Sequence, residues 1–155
     1  MAFEMPKPTE QHRKLMKLAG QWSGVEKMFP SEWDPKGGTA TGRQSARVSL
    51  DGFAVLMDYE QERDGHITYQ GHAVWTYDPQ ESVYVLHWFD SMGSPAEVFK
   101  GAFDGDVLTM SHGGPMHARM TYDFSEGAAK LNSKMEMSKD GKSWNTFFES
   151  SYEKK

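Results

Sequence analysis

The sequence predicts an all-β protein, an antiparallel up-and-down β-barrel of about ten strands closed at one end by a short N-terminal helix. Three features of the 155 residues carry that expectation. Turn signals recur at nearly even spacing, the runs between them alternate apolar with polar residues, and the one helical pattern runs straight into Gly20-Gln21-Trp22.

Residues 1–8 read as an arm and residues 9–155 as a single barrel domain. From Thr9 to Ala19 a helical period sets Leu15, Leu18 and Ala19 on one face and Arg13, Lys14 and Lys17 elsewhere, with Thr9 as N-cap after Pro8. The basic cluster His12-Arg13-Lys14 with Lys17 is the solvated side of that helix. Gly20 ends it, because glycine tolerates the positive φ that turns a helix into a strand, and Trp22 follows as a plug beneath the helix.

The turn signals are Asp34-Pro35-Lys36-Gly37-Gly38, Asp51-Gly52, Asp64-Gly65, Asp78-Pro79, Met92-Gly93-Ser94-Pro95, Asp104-Gly105, Gly113-Gly114-Pro115, Glu126-Gly127 and Asp140-Gly141. Nine such points separate ten strands, and the Asp-Gly pairs favour tight hairpins, hence sequential antiparallel neighbours.

Period-two alternation then assigns faces. In the fourth strand Ile67, Tyr69, Gly71, Ala73 and Trp75 point inward; in the eighth Met116, Ala118, Met120, Tyr122 and Phe124 do; in the ninth Leu131, Ser133, Met135 and Met137 do. A sheet with one apolar face and a single short helix to cover it must bury that face against itself, and ten strands leave room for a ligand unless side chains fill the lumen.

Composition excludes several classes. A net charge of −5 and a pI near 5.7 argue against nucleic acid as the main partner, since phosphate binding needs a concentrated basic face. The absence of cysteine suits a reducing compartment, and the N-terminal residues show no signal-peptide core and no transmembrane pattern, so a cytoplasmic protein without membrane contact is expected. A homodimer is left open.

Eleven methionines and 13% aromatic residues belong on the inside of something. Inward Met57, Met110, Met120 and Met135 beside Tyr59, Tyr69, Trp75 and Tyr122 make an adaptable apolar wall whose hydroxyls need partners. The densest constellation is His87-Trp88-Phe89-Asp90-Ser91-Met92-Gly93, at a strand end where a pocket gains polar groups. If Trp75 pairs with Tyr84, Leu86 and Trp88 face the lumen, the favoured register because it buries Trp88. If Trp75 pairs with Val85, His87 does. Asp90 and Ser91 either shape the turn or hold the polar end of a ligand. His112 and His117 flank a turn without a third metal ligand. Arg43 and Arg47 fall outside unless the second strand takes the other register, which would make them cavity cations for a carboxylate.

Leu18-Ala19-Gly20-x-Trp22-x-Gly24, Leu50-Asp51-Gly52, Tyr77-Asp78 and Tyr84-x-x-x-Trp88-x-Asp90-Ser91-Met92-Gly93 together resemble the bacterial domain-of-unknown-function family 1579, from about His12 to about Tyr152. The resemblance implies a lipocalin-like (calycin) barrel with no settled biochemical role. Gly20-x-Trp22-x-Gly24 is also similar to the opening of nitrobindin-type haem barrels, where Glu26 stands in place of a further glycine.

The expected function is non-enzymatic binding of a small, mostly apolar molecule by Tyr59, Tyr69, Trp75, His87, Trp88, Asp90, Met110, Met120 and Tyr122, with no cofactor and no metal. The alternatives are a small cavity enzyme (lyase, isomerase or hydrolase) using Asp90 or His87, a haem barrel with His87 as axial ligand, and a protein-interaction scaffold.

Overall fold

In the computed structural model, residues 2–155 are described; Met1, the first residue of the expected arm, lies outside them. A short helix α1 (Glu10–Lys14) passes into a 3-10 turn (Leu15–Leu18), and then come β1 (Gly20–Met28), β2 (Gly38–Ser49), β3 (Ala54–Arg63), β4 (His66–Asp78), β5 (Val83–Asp90), β6 (Glu97–Asp104), β7 (Val107–His112), β8 (His117–Asp123), β9 (Lys130–Ser138) and β10 (Asn145–Lys154). Every strand pairs antiparallel with its sequence neighbour, and β1 pairs with β10, so the described residues form a closed ten-stranded barrel.

All nine turn signals fall at the junctions of consecutive strands, Gly38, Asp78 and Asp104 being strand-end residues. Asp64 and Gly65 both have positive φ, as a type I′ hairpin requires, whereas at Asp104-Gly105 only the glycine does, the φ pattern of a II′ turn. The corner at Asp51-Gly52 is wider than a tight hairpin. Leu50, Asp51 and Gly52 all take positive φ in a 3-10 turn under Pro8.

The helix is shorter than its apolar period suggests. Its last turn tightens to 3-10 geometry, which eclipses positions three apart and drives both Leu15 and Leu18 onto the end of the barrel, while Ala19 is already extended. Gly20 has φ +127, and a side chain there would run into the Lys154 stem. Trp22 is 1% exposed and donates its indole N–H to the Leu18 carbonyl at 2.9 Å, so plug and helix are hydrogen-bonded together. His12 is not on the solvated side. It is buried between Phe53 and Tyr77, its Nδ1 accepts the Thr9 N–H at 3.0 Å, and burial holds its pKa below the ordinary value.

Two strand details differ from the alternation. Ile67 is exposed because β4 carries an extra residue at Thr68, opposite the Gln61–Glu62 step, and the bulge resets which face its flanking residue presents. Trp75 pairs with Leu86 rather than Tyr84, because four residues (79–82) join β4 to β5. The parity is the favoured one, so Leu86 and Trp88 face inward.

Candidate functional site

The lumen has two unlike halves. Next to the helix, Leu15, Leu18, Trp22, Val55, Trp75, Leu108, Met110 and Leu131 are sealed, and Tyr122 closes on Trp75 edge to face at 5.1 Å. Towards the opposite end, where β1, β3, β5, β7 and β9 finish, the inward positions Met28, Tyr59, Gln61, Tyr69, Trp88, Asp90, His112, Met120, Met135 and Met137 remain partly exposed. Side chains that point into a barrel and still meet solvent mark an opening.

Polar groups gather in that open half in two sets. Glu26, 1% exposed, follows Trp22 and Gly24 on the inward face of β1; its carboxylate accepts the Tyr152 hydroxyl at 2.5 Å, the Tyr59 hydroxyl at 2.6 and 2.7 Å, and the Gln61 amide N–H at 3.1 Å. Gly42 faces the group, and any side chain on it would occupy the space of the Tyr152 hydroxyl and the carboxylate. Burial, and then the Glu26 charge, push both phenols far above the usual tyrosine range. The buried charge is held by three donors, as a desolvated carboxylate requires.

The second set lies at the end of β5. Asp90 Oδ2 accepts the Tyr69 hydroxyl at 2.6 Å and the Trp88 indole N–H at 3.0 Å, while its Oδ1 accepts the Met92 N–H at 3.0 Å. Asp90 therefore shapes the turn and at the same time anchors two aromatic side chains inside the barrel. Ser91 does neither: its Oγ accepts the Gln70 N–H and its N–H donates to the Gln70 carbonyl, which extends the β4–β5 pairing by one residue. Burial, then the bond to Asp90, raises the Tyr69 pKa. The Trp88 ring lies over Gly71, where a Cβ would collide with it, and stacks on Tyr69 at 6.3 Å; Tyr59 sits 6.1 Å from both rings and links the two sets.

The structure thus joins Tyr59, Tyr69, Trp88 and Asp90 in the open half, and Met120, partly exposed, points into the lumen from β8 beside its cross-strand partner Met110. Trp75, Met110 and Tyr122 belong to the sealed half instead. His87 lies between Val74 and Val98 on the outer face, so its imidazole does not line the lumen as a base or an axial ligand for haem would. Arg43 and Arg47 are outside as well, Arg43 bonded to Glu60 at 2.9 Å and Glu62 at 3.4 Å, so the lumen lacks the cations of that carboxylate-binding register. His112 donates to the Val98 carbonyl at 2.9 Å, and no group of three metal-ligating side chains occurs among the described residues. Sequence reasoning missed Glu26, Gln61 and Tyr152 as members of the site. Glu26 was visible as a charge at an inward position, two residues after Gly24, but its partners come from distant strands.

Two concavities adjoin the barrel. One, of about 700 Å³, is lined chiefly by outward side chains of β1 to β5, among them Arg43, Asp58, Glu60, His72 and Phe89, and so lies on the outer wall. The other, of about 450 Å³, runs along the open end between residues 30–33 and the β9–β10 hairpin, with Trp33, Met116, Met137 and Phe147 as its apolar surface.

Residues 7–154 match the family model described as "Protein of unknown function (DUF1579)". The chain belongs to this family. No curated protein matches this DUF1579 member. Among solved structures, its barrel is similar to that of Rv2717c from M. tuberculosis (TM-score 0.70, 11% identity, 95% of this chain and 98% of the other). It is also similar to the S-type phycobiliprotein lyase CPES from Guillardia theta (TM-score 0.60, 10% identity, 96% and 98% covered). At these identities the likeness shows the fold alone. No helix among the described residues is long and apolar enough to cross a membrane.

Proposed function

We propose that this barrel binds a small, mostly apolar molecule in the open half of its lumen. The observation that carries the reading is the partial exposure of inward Tyr69, Trp88, Met120, Met135 and Met137 at the end that no helix covers, against Leu15, Leu18, Trp22 and Trp75 sealed at the other, where inward Tyr77 and Phe103 keep some exposure. Methionine and aromatic walls adapt to irregular apolar shapes, and a few fixed polar groups then orient the guest. Here those groups are Asp90 and the hydroxyl of Tyr69. The cleft bordered by Trp33, Met116, Met137 and Phe147 offers the way in, because Met137 belongs both to the cleft and to the inward face of β9.

Titration with Nile red, a neutral environment-sensitive dye, tests the reading. Saturable emission is expected, and it should weaken in Met120→Trp, which fills the open half, provided that circular dichroism shows the variant folded. Absence of saturable emission, or equal binding by a folded Met120→Trp, would overturn it.

A further inference from the structure

The charge on the inner wall of the open half is predominantly negative. Glu26, Asp90 and Glu97 occupy inward positions there, Glu97 because it pairs with inward Trp88 across β5 and β6. Glu26 is saturated by its three donors, but Asp90 Oδ1 receives only the Met92 N–H, and Glu97 makes no side-chain hydrogen bond or ion pair among the described residues. All the cations but one are elsewhere. Arg43 and Arg47 are on the outer face and Lys154 lies against the Trp22 ring at the opposite end; Arg63, on the inward face of β3 at the rim, gives its Nη2 to Asp34 at 3.0 Å, while its buried Nε has no partner among the described residues.

A second property of the wall is independent of its acids. Tyr59, Tyr69 and Trp88 form a three-ring cluster with mutual centroid distances of 6.1–6.3 Å, and Tyr69 and Trp88 stay partly exposed. Ring faces carry negative electrostatic potential and attract organic cations, most strongly when the site is partly desolvated. A carboxylate head placed here would face Asp90 and Glu97 with no free cation beside it, the arrangement that disfavours a buried charge. A positively charged nitrogen would meet an aromatic wall and two acceptors.

We infer that the guest of this lumen carries an organic ammonium head on an apolar body, the head resting on Trp88 and Tyr69 and facing Asp90 and Glu97. The inference rests on the binding reading above and specifies its ligand class. It separates this barrel from one built for fatty acids, and the separation lies in the outward faces of Arg43 and Arg47 and in Asp34, which engages Arg63.

Displacement of Nile red by four decyl compounds with different heads tests it, in dilute buffer at neutral pH, because salt screens the charge term. Decylamine and decyltrimethylammonium should displace the dye at roughly tenfold lower concentration than decanoate, a difference of about 1.4 kcal/mol, with decanol between them. Glu97→Gln and Asp90→Asn should each narrow that gap. Glu97→Gln is the cleaner of the two, since Glu97 supports no neighbour. If Nile red itself fails to bind, the lumen reading falls and takes this inference with it. If the dye binds but decanoate displaces it as well as the amines, or better, only the ammonium assignment falls, and loss of that displacement in Arg63→Gln would name the cation responsible. A preference for amines left unchanged by both carboxylate variants would also overturn it.

Discussion

Trp22 and Trp88 both stand at inward positions of one continuous sheet, and each donates its indole N–H, yet they belong to different kinds of structure. Trp22 is covered by the helical segment, bonds to the backbone of Leu18, and is sealed. Trp88 has no such cover. It bonds to side chains, Tyr69 and Asp90, and remains partly open to solvent. The difference teaches that alternation alone makes a wall with two sides, and that a lid decides whether the inner side becomes core or pocket. Where Leu15 and Leu18 close the barrel, the inward residues need only pack. Where no element closes it, they carry hydroxyls, an indole N–H and carboxylates bonded to one another.

Alkaline pH should have the largest effect, and it tests both halves at once. Tyr59, Tyr69, Tyr122 and Tyr152 are held neutral well above the usual range, chiefly by burial, and Tyr84 is pushed up to about 12. The unfolded chain therefore releases these protons near pH 10 while the folded chain retains them. Stability is complete below pH 10 and falls above it, by about 1.4 kcal/mol per pH unit for each such tyrosine. Denaturant midpoints and tyrosinate absorbance recorded from pH 9 to 12 should change together. Tyrosinate appearing in the folded protein ahead of unfolding would mean that the open half is wetter than its geometry implies.

Truncating the two tryptophans sharpens the contrast directly. Trp22→Ala should cost about 3–5 kcal/mol, the usual range for a buried tryptophan, whereas Trp88→Ala should cost about 1–2, since its ring is already partly solvated. Equal losses in urea melts would erase the distinction between the halves.

Glu26→Gln addresses the buried carboxylate. It preserves volume and an acceptor but removes the charge, so about 1–3 kcal/mol of hydrogen bonding to a charged group is at stake. The pKa values of Tyr59 and Tyr152 should fall while Tyr122, raised by burial alone, keeps its value. Site-resolved NMR titration separates these outcomes. A uniform shift of all three would show that the halves are electrostatically coupled.

The smallest effect belongs to the lid. Burial lowers the His12 pKa below 6.5, so as pH falls beneath that value the unfolded chain takes up a proton that the folded one resists, and stability declines. Protonation also ends acceptance of the Thr9 N–H, a contact on the scale of a helix cap, about 1 kcal/mol. Amide exchange at residues 9–15 should quicken below pH 6 while β3 and β4 exchange unchanged. Matched acceleration in the strands would make the helix part of the barrel's cooperative unit.

Much of this fold was legible residue by residue. Each turn signal marks a place where the backbone needs positive φ or cannot pair, and those constraints act within two or three residues. The inward positions of Tyr69, Met120 and Tyr122 follow from the same local rule, whereas that of Trp88 depended on the β4–β5 register. Ile67 escaped it because one extra residue in β4 breaks the alternation, and a bulge has no composition of its own. The exact β4–β5 pairing escaped because a four-residue connection with Ser82 at positive φ is not announced by Asp78-Pro79. Glu26 reads in the chain as a polar interruption of a strand, with nothing nearby to explain it.

By itself, then, the sequence determined the number of strands, their order and the faces of most of them, because pleat and turn are short-range geometry, while the faces of β5, Ile67 and His12 depended on pairing, a bulge and packing. Only the closed barrel decided which of those faces would meet. Pairing of β10 with β1 carries the Tyr152 hydroxyl to a carboxylate 126 residues earlier in the chain, and the tilt of the strands brings Tyr59 to the same atom pair. Contacts of that kind are fixed by ring closure and shear, and no local pattern encodes them.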